Sequence, residues 1–194
     1  MWGEGARRSF GRTYQFSPRV QIIRGAAGDA SFEVNTDQSI MGAVNGYYGV
    51  IQKSTDGGNT FQTVFNETGR LYFNGIDCLD DLSCWVVGEG PAGAWIFKTS
   101  DSGRTWVEQI ALGVGMSLMD VQMLNQNEGW AVGGEILANT FNALFLHTLD
   151  GGKTWTNTNT IPNAFPNSIS IPSSGRAFAT AFLRNGLSAI LAYK

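Results

Sequence analysis

One short pattern recurs along the chain. It reads STDGGNTF from Ser54 to Phe61, TSDSGRTW from Thr99 to Trp106 and TLDGGKTW from Thr148 to Trp155. All three copies fit [S/T]-x-D-x-G-x-T-[W/F], and their acids Asp56, Asp101 and Asp150 recur at roughly 45–50 residues. A period of that length marks an array of supersecondary units, so each segment is read against its counterparts.

The flanks of the box repeat as well. Before each box stands a short apolar strand: GVIQK, AWIFK or ALFLH. Upstream comes a strand with small residues, IMGAVNG, CWVVGEG or GWAVGGE, and before it ASFEVN, YFNGIDC or LMDVQML. After each box the chain leaves as TFQTVF, TWVEQI or TWTNTN. Each unit reads as four short strands, and no segment keeps a helical period over the length a helix needs. A degenerate fourth copy follows in NSISIP, GRAFATAF and LSAILAY, without a box. The expected class is all-β, a β-propeller of about four four-stranded blades, small, truncated or partly open. Residues 31–194 form the propeller in this reading. Residues 1–30 form a basic arm whose TYQFSPRVQII contains a strand that could pair with the last copy and close the ring.

The box itself reads as a turn. Its Asp accepts backbone N–H groups of its own turn. Gly58, Gly103 and Gly152 permit positive φ. Thr60, Thr105 and Thr154 bond the same turn, and the closing aromatic returns to the apolar layer. This assigns Asp56, Asp101 and Asp150 structural roles. The motif resembles the Asp-box, or BNR repeat, of sialidases and related propellers. The wider pattern IFKTSDSGRTW and GWAVGGE…HTLDGGKTW is most similar to the photosystem II stability and assembly factor family. That resemblance implies a non-catalytic binding or scaffold subunit of a larger complex, working on the lumenal side of a thylakoid membrane. Family members usually have about seven blades, more than this chain supplies.

Composition narrows the field further. A hydrophobic content of 43%, with 25 Gly and 5 Pro, suits short strands joined by tight turns. A net charge of −3 argues against nucleic acid as a partner. Arg7, Arg8, Arg12, Arg19 and Arg24 stand against Glu4 alone, so a basic arm precedes an acidic body. Arg7, Arg8 and Arg12 are candidate partner contacts, together with Tyr47, Tyr48, Gly90 and Asn139 in the hairpin loops. No apolar run is long enough to span a membrane as a helix. The amino end MWGEGARRSF lacks a signal-peptide core, so export would require a leader already removed.

The two cysteines, Cys78 and Cys84, bracket LDDLS, which reads as a turn facing them across neighbouring strands. A disulfide fits that placement, and a pair of reduced buried thiols is the other reading. The disulfide is the expectation, and it favours a lumenal or extracellular setting. Asn66 opens an N-glycosylation triplet.

Signals for chemistry are few. His147, the sole histidine, fills a slot held by Lys53 and Lys98 in the other units, so it is read as a polar, outward strand position. GEGPAG matches G-x-G-x-x-G at Gly88, Gly90 and Gly93, but Pro91 and a following strand make it a hairpin. DGGN at Asp56 lacks the later ligands of a calcium loop. No metal, cofactor or catalytic residue is assigned. A sialidase-like site would need three arginines and a Tyr–Glu pair. Arg70, Arg176 and Arg184 are candidates, but no Tyr–Glu pair is assignable from the sequence. Asp80 and Asp81 read as solvated turn residues. Trp85, Trp95, Trp106, Trp130 and Trp155 recur at equivalent places and read as core. The alternative function is an extracellular carbohydrate-binding or glycosidase propeller, and a third is a secreted adhesion module.

Overall fold

The computed structural model describes residues 19–24, 31–36, 48–56, 59–138 and 140–193. Among these residues every regular element is a strand. β1 (Arg19–Arg24), β2 (Ser31–Thr36), β3 (Tyr48–Ser54) and β4 (Gln62–Thr68) form the first sheet. The second is β5 (Tyr72–Cys78), β6 (Cys84–Gly90), β7 (Gly93–Thr99) and β8 (Val107–Leu112). The third is β9 (Met116–Met123), β10 (Gly129–Leu137), β11 (Thr140–Thr148) and β12 (Thr156–Asn159). The last has three strands, β13 (Ala164–Ser173), β14 (Arg176–Leu183) and β15 (Ser188–Tyr193). Each sheet is an antiparallel meander, as short polar turns between alternating strands dictate.

Successive sheets pack face to face through their first strands. The register makes the units superimposable: Trp85 stands opposite Lys98, Trp130 opposite His147 and Phe178 opposite Ala192. Because side chains alternate along a strand, the second and third sheets each bury two apolar faces. Phe73, Ile76, Val86 and Phe97 of the second sheet join Ile51 of the first, while Trp85, Val87 and Ile96 turn to Leu118 and Val121 of the third. Trp130, Val132 and Phe145 then meet Ile169 and Ile171 of the fourth. No comparable packing joins the fourth sheet to the first among the described residues.

Two sequence expectations change. The segment thought able to close the ring pairs instead with β2, from Arg19 opposite Thr36 to Arg24 opposite Ser31. It is the first strand of the first sheet, and neighbouring strands joined by a short connection pair most readily. ASFEVN consequently supplies the second strand of that sheet, not the first. The disulfide is present: Cys78 and Cys84 face each other across the β5–β6 hairpin with Cα atoms 4.1 Å apart. It closes a loop of sequence separation 6, so reduction should cost about 2 kcal/mol by the loop-entropy relation. Urea unfolding with and without reductant measures that loss; coincident curves would refute it.

Candidate functional site

The three boxes lie between the third and fourth strands of their sheets, and their acids bond alike. Asp101 Oδ1 accepts the Thr105 N–H at 2.9 Å, and its Oδ2 accepts the Thr105 hydroxyl at 2.6 Å. The Thr99 hydroxyl donates to Asp101 at 2.9 Å and accepts the Gly103 N–H at 2.9 Å. Asp150 repeats this with Thr154, Thr148 and Gly152, and Asp56 with Thr60 and Ser54. Gly103 and Gly152 have φ of 82° and 92°, the conformation glycine supplies without strain. The donated bonds hold all three carboxyls at about 2, the Thr hydroxyl leading at Asp56 and Asp101 and the Thr154 N–H at Asp150. Such a carboxylate is an occupied acceptor and a poor proton carrier at neutral pH. Gly58 lies outside the described residues.

The slot before the first and second boxes is a clasp between sheets, and in the third it stacks on its own sheet, so none is a plain outward position. Lys98 Nζ lies 4.4 Å from the centre of the Trp85 ring and donates to Gly151 O at 3.0 Å, in the next box. Trp85 Nε1 donates to the same carbonyl at 3.2 Å. Burial lowers the Lys98 pKa, and the Lys153 charge adds to it. Lys53 Nζ likewise donates to Ser102 O of the second box at 3.2 Å. His147 stacks on Trp130 at 4.1 Å, with Nε2 3.5 Å from Glu128. The sequence showed only that the slot accepts Lys twice; the turn that covers it belongs to the next unit.

A second group of polar side chains lines the first strands. Tyr72 OH donates to Glu89, which also accepts Asn74 Nδ2 at 3.2 Å. The β5–β6 register brings this tyrosine and this glutamate together, a contact that the sequence alone did not assign. Asn74 Oδ1 is buried without a hydrogen-bond partner. Asp77 Oδ2 accepts the Met123 N–H at 2.7 Å, and Gln122 Oε1 accepts the Ile171 N–H at 2.8 Å. Both are lashings from one first strand to the backbone of the next. Asp120 Oδ2 accepts from Ser168 Oγ at 2.9 Å and Ile169 N at 3.0 Å.

Burial raises the Asp120 carboxyl to about 6, against those bonds, with the Asp77 charge adding to the rise. A carboxyl whose folded pKa exceeds its unfolded value keeps its proton in the fold and releases it on unfolding. Its stabilising contribution is therefore present below 3.8 and lost as pH rises to about 6. The loss is on the order of 3 kcal/mol. Urea unfolding between pH 4 and 7 should show that decline, and Asp120→Asn should flatten it. An unchanged slope in the variant would refute the assignment.

No protein-family profile matches the sequence, and no curated protein matches it. Among solved structures the GH74 enzyme of Niastella koreensis superposes with a TM-score of 0.47 and 16% sequence identity. The match covers 84% of this chain and 28% of that enzyme. The chain thus spans well under a third of the length of the protein it resembles in shape.

The remaining sequence candidates separate. Arg7, Arg8, Arg12, Tyr47 and Asn139 lie outside the described residues. Tyr48 opens β3. Gly90 pairs with Gly93 at the end of the β6–β7 hairpin. A Cβ at Gly90 would stand 2.0 Å from Arg70 O, so the residue packs against its neighbour's backbone. Arg70 pairs with Glu108 and lies 4.9 Å from the Trp95 ring centre, while Arg104, Arg176 and Arg184 are exposed elsewhere. Asp80 is a turn residue with a tie: Oδ1 accepts the Ser83 N–H at 2.7 Å and Oδ2 accepts Gln126 Nε2 at 2.8 Å. No helix among the described residues is long and apolar enough to cross a membrane, and no cluster there offers three metal-binding side chains.

Proposed function

We propose that the chain is a run of Asp-box β-propeller blades that works without catalysis, as a binding scaffold in a larger complex. One observation carries the reading. The acids of the three boxes spend their oxygens on their own turns, and the lysines before the first and second boxes clasp the next sheet. The repeat thus invests its conserved-looking chemistry in stiffness, and a stiff arc of sheets is a platform for recognition by its loops. The disulfide suits an oxidising compartment. By the likeness of IFKTSDSGRTW and HTLDGGKTW, the complex would be a photosystem or its assembly intermediate, met from the lumen. Native purification decides this. Co-migration with a chlorophyll-containing complex supports it, and a chain free of pigment complexes refutes it.

The Tyr72–Glu89 pair favours a second reading, a carbohydrate-active propeller. A tyrosine hydroxyl bonded to a carboxylate can be made nucleophilic when that carboxylate takes its proton. Turnover of a sialoside reporter that disappears in Glu89→Gln would support this reading. No turnover by the native chain would remove it.

A further inference from the structure

Exposed apolar side chains line one end of the arc. In each antiparallel meander the box marks one end, and the hairpin from second to third strand marks the other. At that other end stand Pro91 and Ala92 of the β6–β7 turn, both exposed. Val114, in the β8–β9 connection, is 80% exposed. Ile136 and Leu137 are exposed where β10 reaches its hairpin, and Leu187 of the β14–β15 turn is 61% exposed.

These tips touch in series. A Cβ on Gly93 would collide with Gly113 O, so the β6–β7 turn rests on the connection that carries Val114. Gly115 O of that connection accepts the Ile136 N–H at 2.6 Å. Asn163 N donates to Phe141 O at 2.8 Å, and Asn163 O accepts the Arg184 N–H at 2.9 Å, which ties the third tip to the fourth. The turns also bond their own backbone. Gly113 O accepts the Met116 N–H, Leu187 O accepts the Leu183 N–H, and Asn185 Oδ1 accepts the Leu187 N–H. Apolar surroundings would therefore strand few polar groups in these turns.

Charge is kept away from the tips. None of residues 90–97, 109–119 and 136–146 is charged. The nearest acids are drawn into bonds, Glu89 with Tyr72 and Asn74 and Glu135 with Asn142. Arg184 stands exposed in the same turn as Leu187. Uncharged apolar tips bordered by a cation match a bilayer surface, where hydrocarbon lies beneath a layer of phosphates. A protein partner fits less well, because such interfaces carry about one hydrogen bond per 100–200 Å² and these turns have spent many of their polar groups.

We propose that this end of the arc rests on a lipid bilayer. Val114, Ile136, Leu137 and Leu187 enter the interfacial layer, and Arg184 reaches the lipid phosphates. The boxes then face away from the membrane. A few apolar side chains give reversible attachment, not permanent anchoring. This goes beyond the scaffold reading and requires neither a pigment complex nor a carbohydrate.

The test uses the whole chain and sucrose-loaded vesicles of phosphatidylcholine, read by sedimentation. The chain should pellet with the vesicles at millimolar lipid. Raising salt to about 1 M should leave the bound fraction within about twofold, because apolar burial is not screened. Ile136→Asp combined with Leu137→Asp should weaken binding about tenfold or more, since a carboxylate is costly to bring into an apolar layer. Leu149→Asp, 68% exposed at the box end, should leave binding unchanged. No sedimentation at millimolar lipid overturns the proposal, even if a protein binds these tips. Binding abolished by salt, or an equal loss in Leu149→Asp, overturns it too. A second measurement keeps the native tips largely intact. Both cysteines of the sequence are paired, so Val114→Cys and Leu149→Cys each offer one thiol for an environment-sensitive dye. Vesicles should shift the emission to the blue at position 114 and not at 149; no shift at 114, or equal shifts, refutes the assignment.

Discussion

Trp85→Ala should cost about 3–5 kcal/mol of stability, whereas Phe178→Ala should stay within about 0.5 kcal/mol. The two residues hold one register slot in sheets two and four. What differs is the covering. Trp85 is 0% exposed beneath the third sheet, and Phe178 is 39% exposed. Truncating Trp85 removes a large ring from the cluster with Leu118 and Val121. It also takes away the surface under Lys98 and one of the two donors to Gly151 O. Trp85→Phe should fall between wild type and Ala, because it keeps most of the ring contact and loses only the indole N–H. Urea denaturation of the three variants checks the order. Equal losses at positions 85 and 178 would mean that the sheets do not lean on one another as the packing indicates.

The sequence made the repeat visible because a turn has local rules. Asp, Gly and Thr at fixed offsets satisfy one another within a few residues, so the bonds of a box close without any tertiary partner. The second, third and fourth units were legible as strands for the same reason. The first unit was not. TYQFSPRVQII looked like a spare strand because IMGAVNG resembled the small-residue strand of the other units, yet β1 pairs directly with β2. Strand pairing is a choice among partners, and composition ranks those partners poorly. Lys98 was misread as outward because its covering turn belongs to another unit, and His147 because it stacks on Trp130 across its own sheet. The Tyr72–Glu89 pair was hidden because its register follows from a bulge between Phe73 and Gly75. Only the box chemistry is local; the clasps and lashings are properties of the assembled sheets.

That dependence gives the largest effect expected of a small residue. Gly133→Val should destabilise the chain by about 4 kcal/mol or more, beyond the usual range for a single substitution. Gly133 lies in the middle of β10, where the ladder to β9 shifts register between Val132 and Gly133. A Cβ there would stand 2.0 Å from Ser117 O and 2.8 Å from Leu118 Cα. Both atoms are backbone, so no side chain can rotate away, and the strands themselves must part. Parting them loosens Leu118, which is fully buried between the second and third sheets. Gly88 occupies the same slot in the second sheet, and a Cβ there would stand 2.3 Å from Tyr72 O. Ala181 occupies it in the fourth sheet opposite Pro166, so the prohibition belongs to the close strand spacing of the inner sheets. Thermal unfolding of Gly133→Ala and Gly133→Val should therefore show loss already with the methyl and a larger loss with valine. A Gly133→Ala protein as stable as wild type would show that β9 and β10 can separate freely, and the small residues of the second strands would then need another explanation.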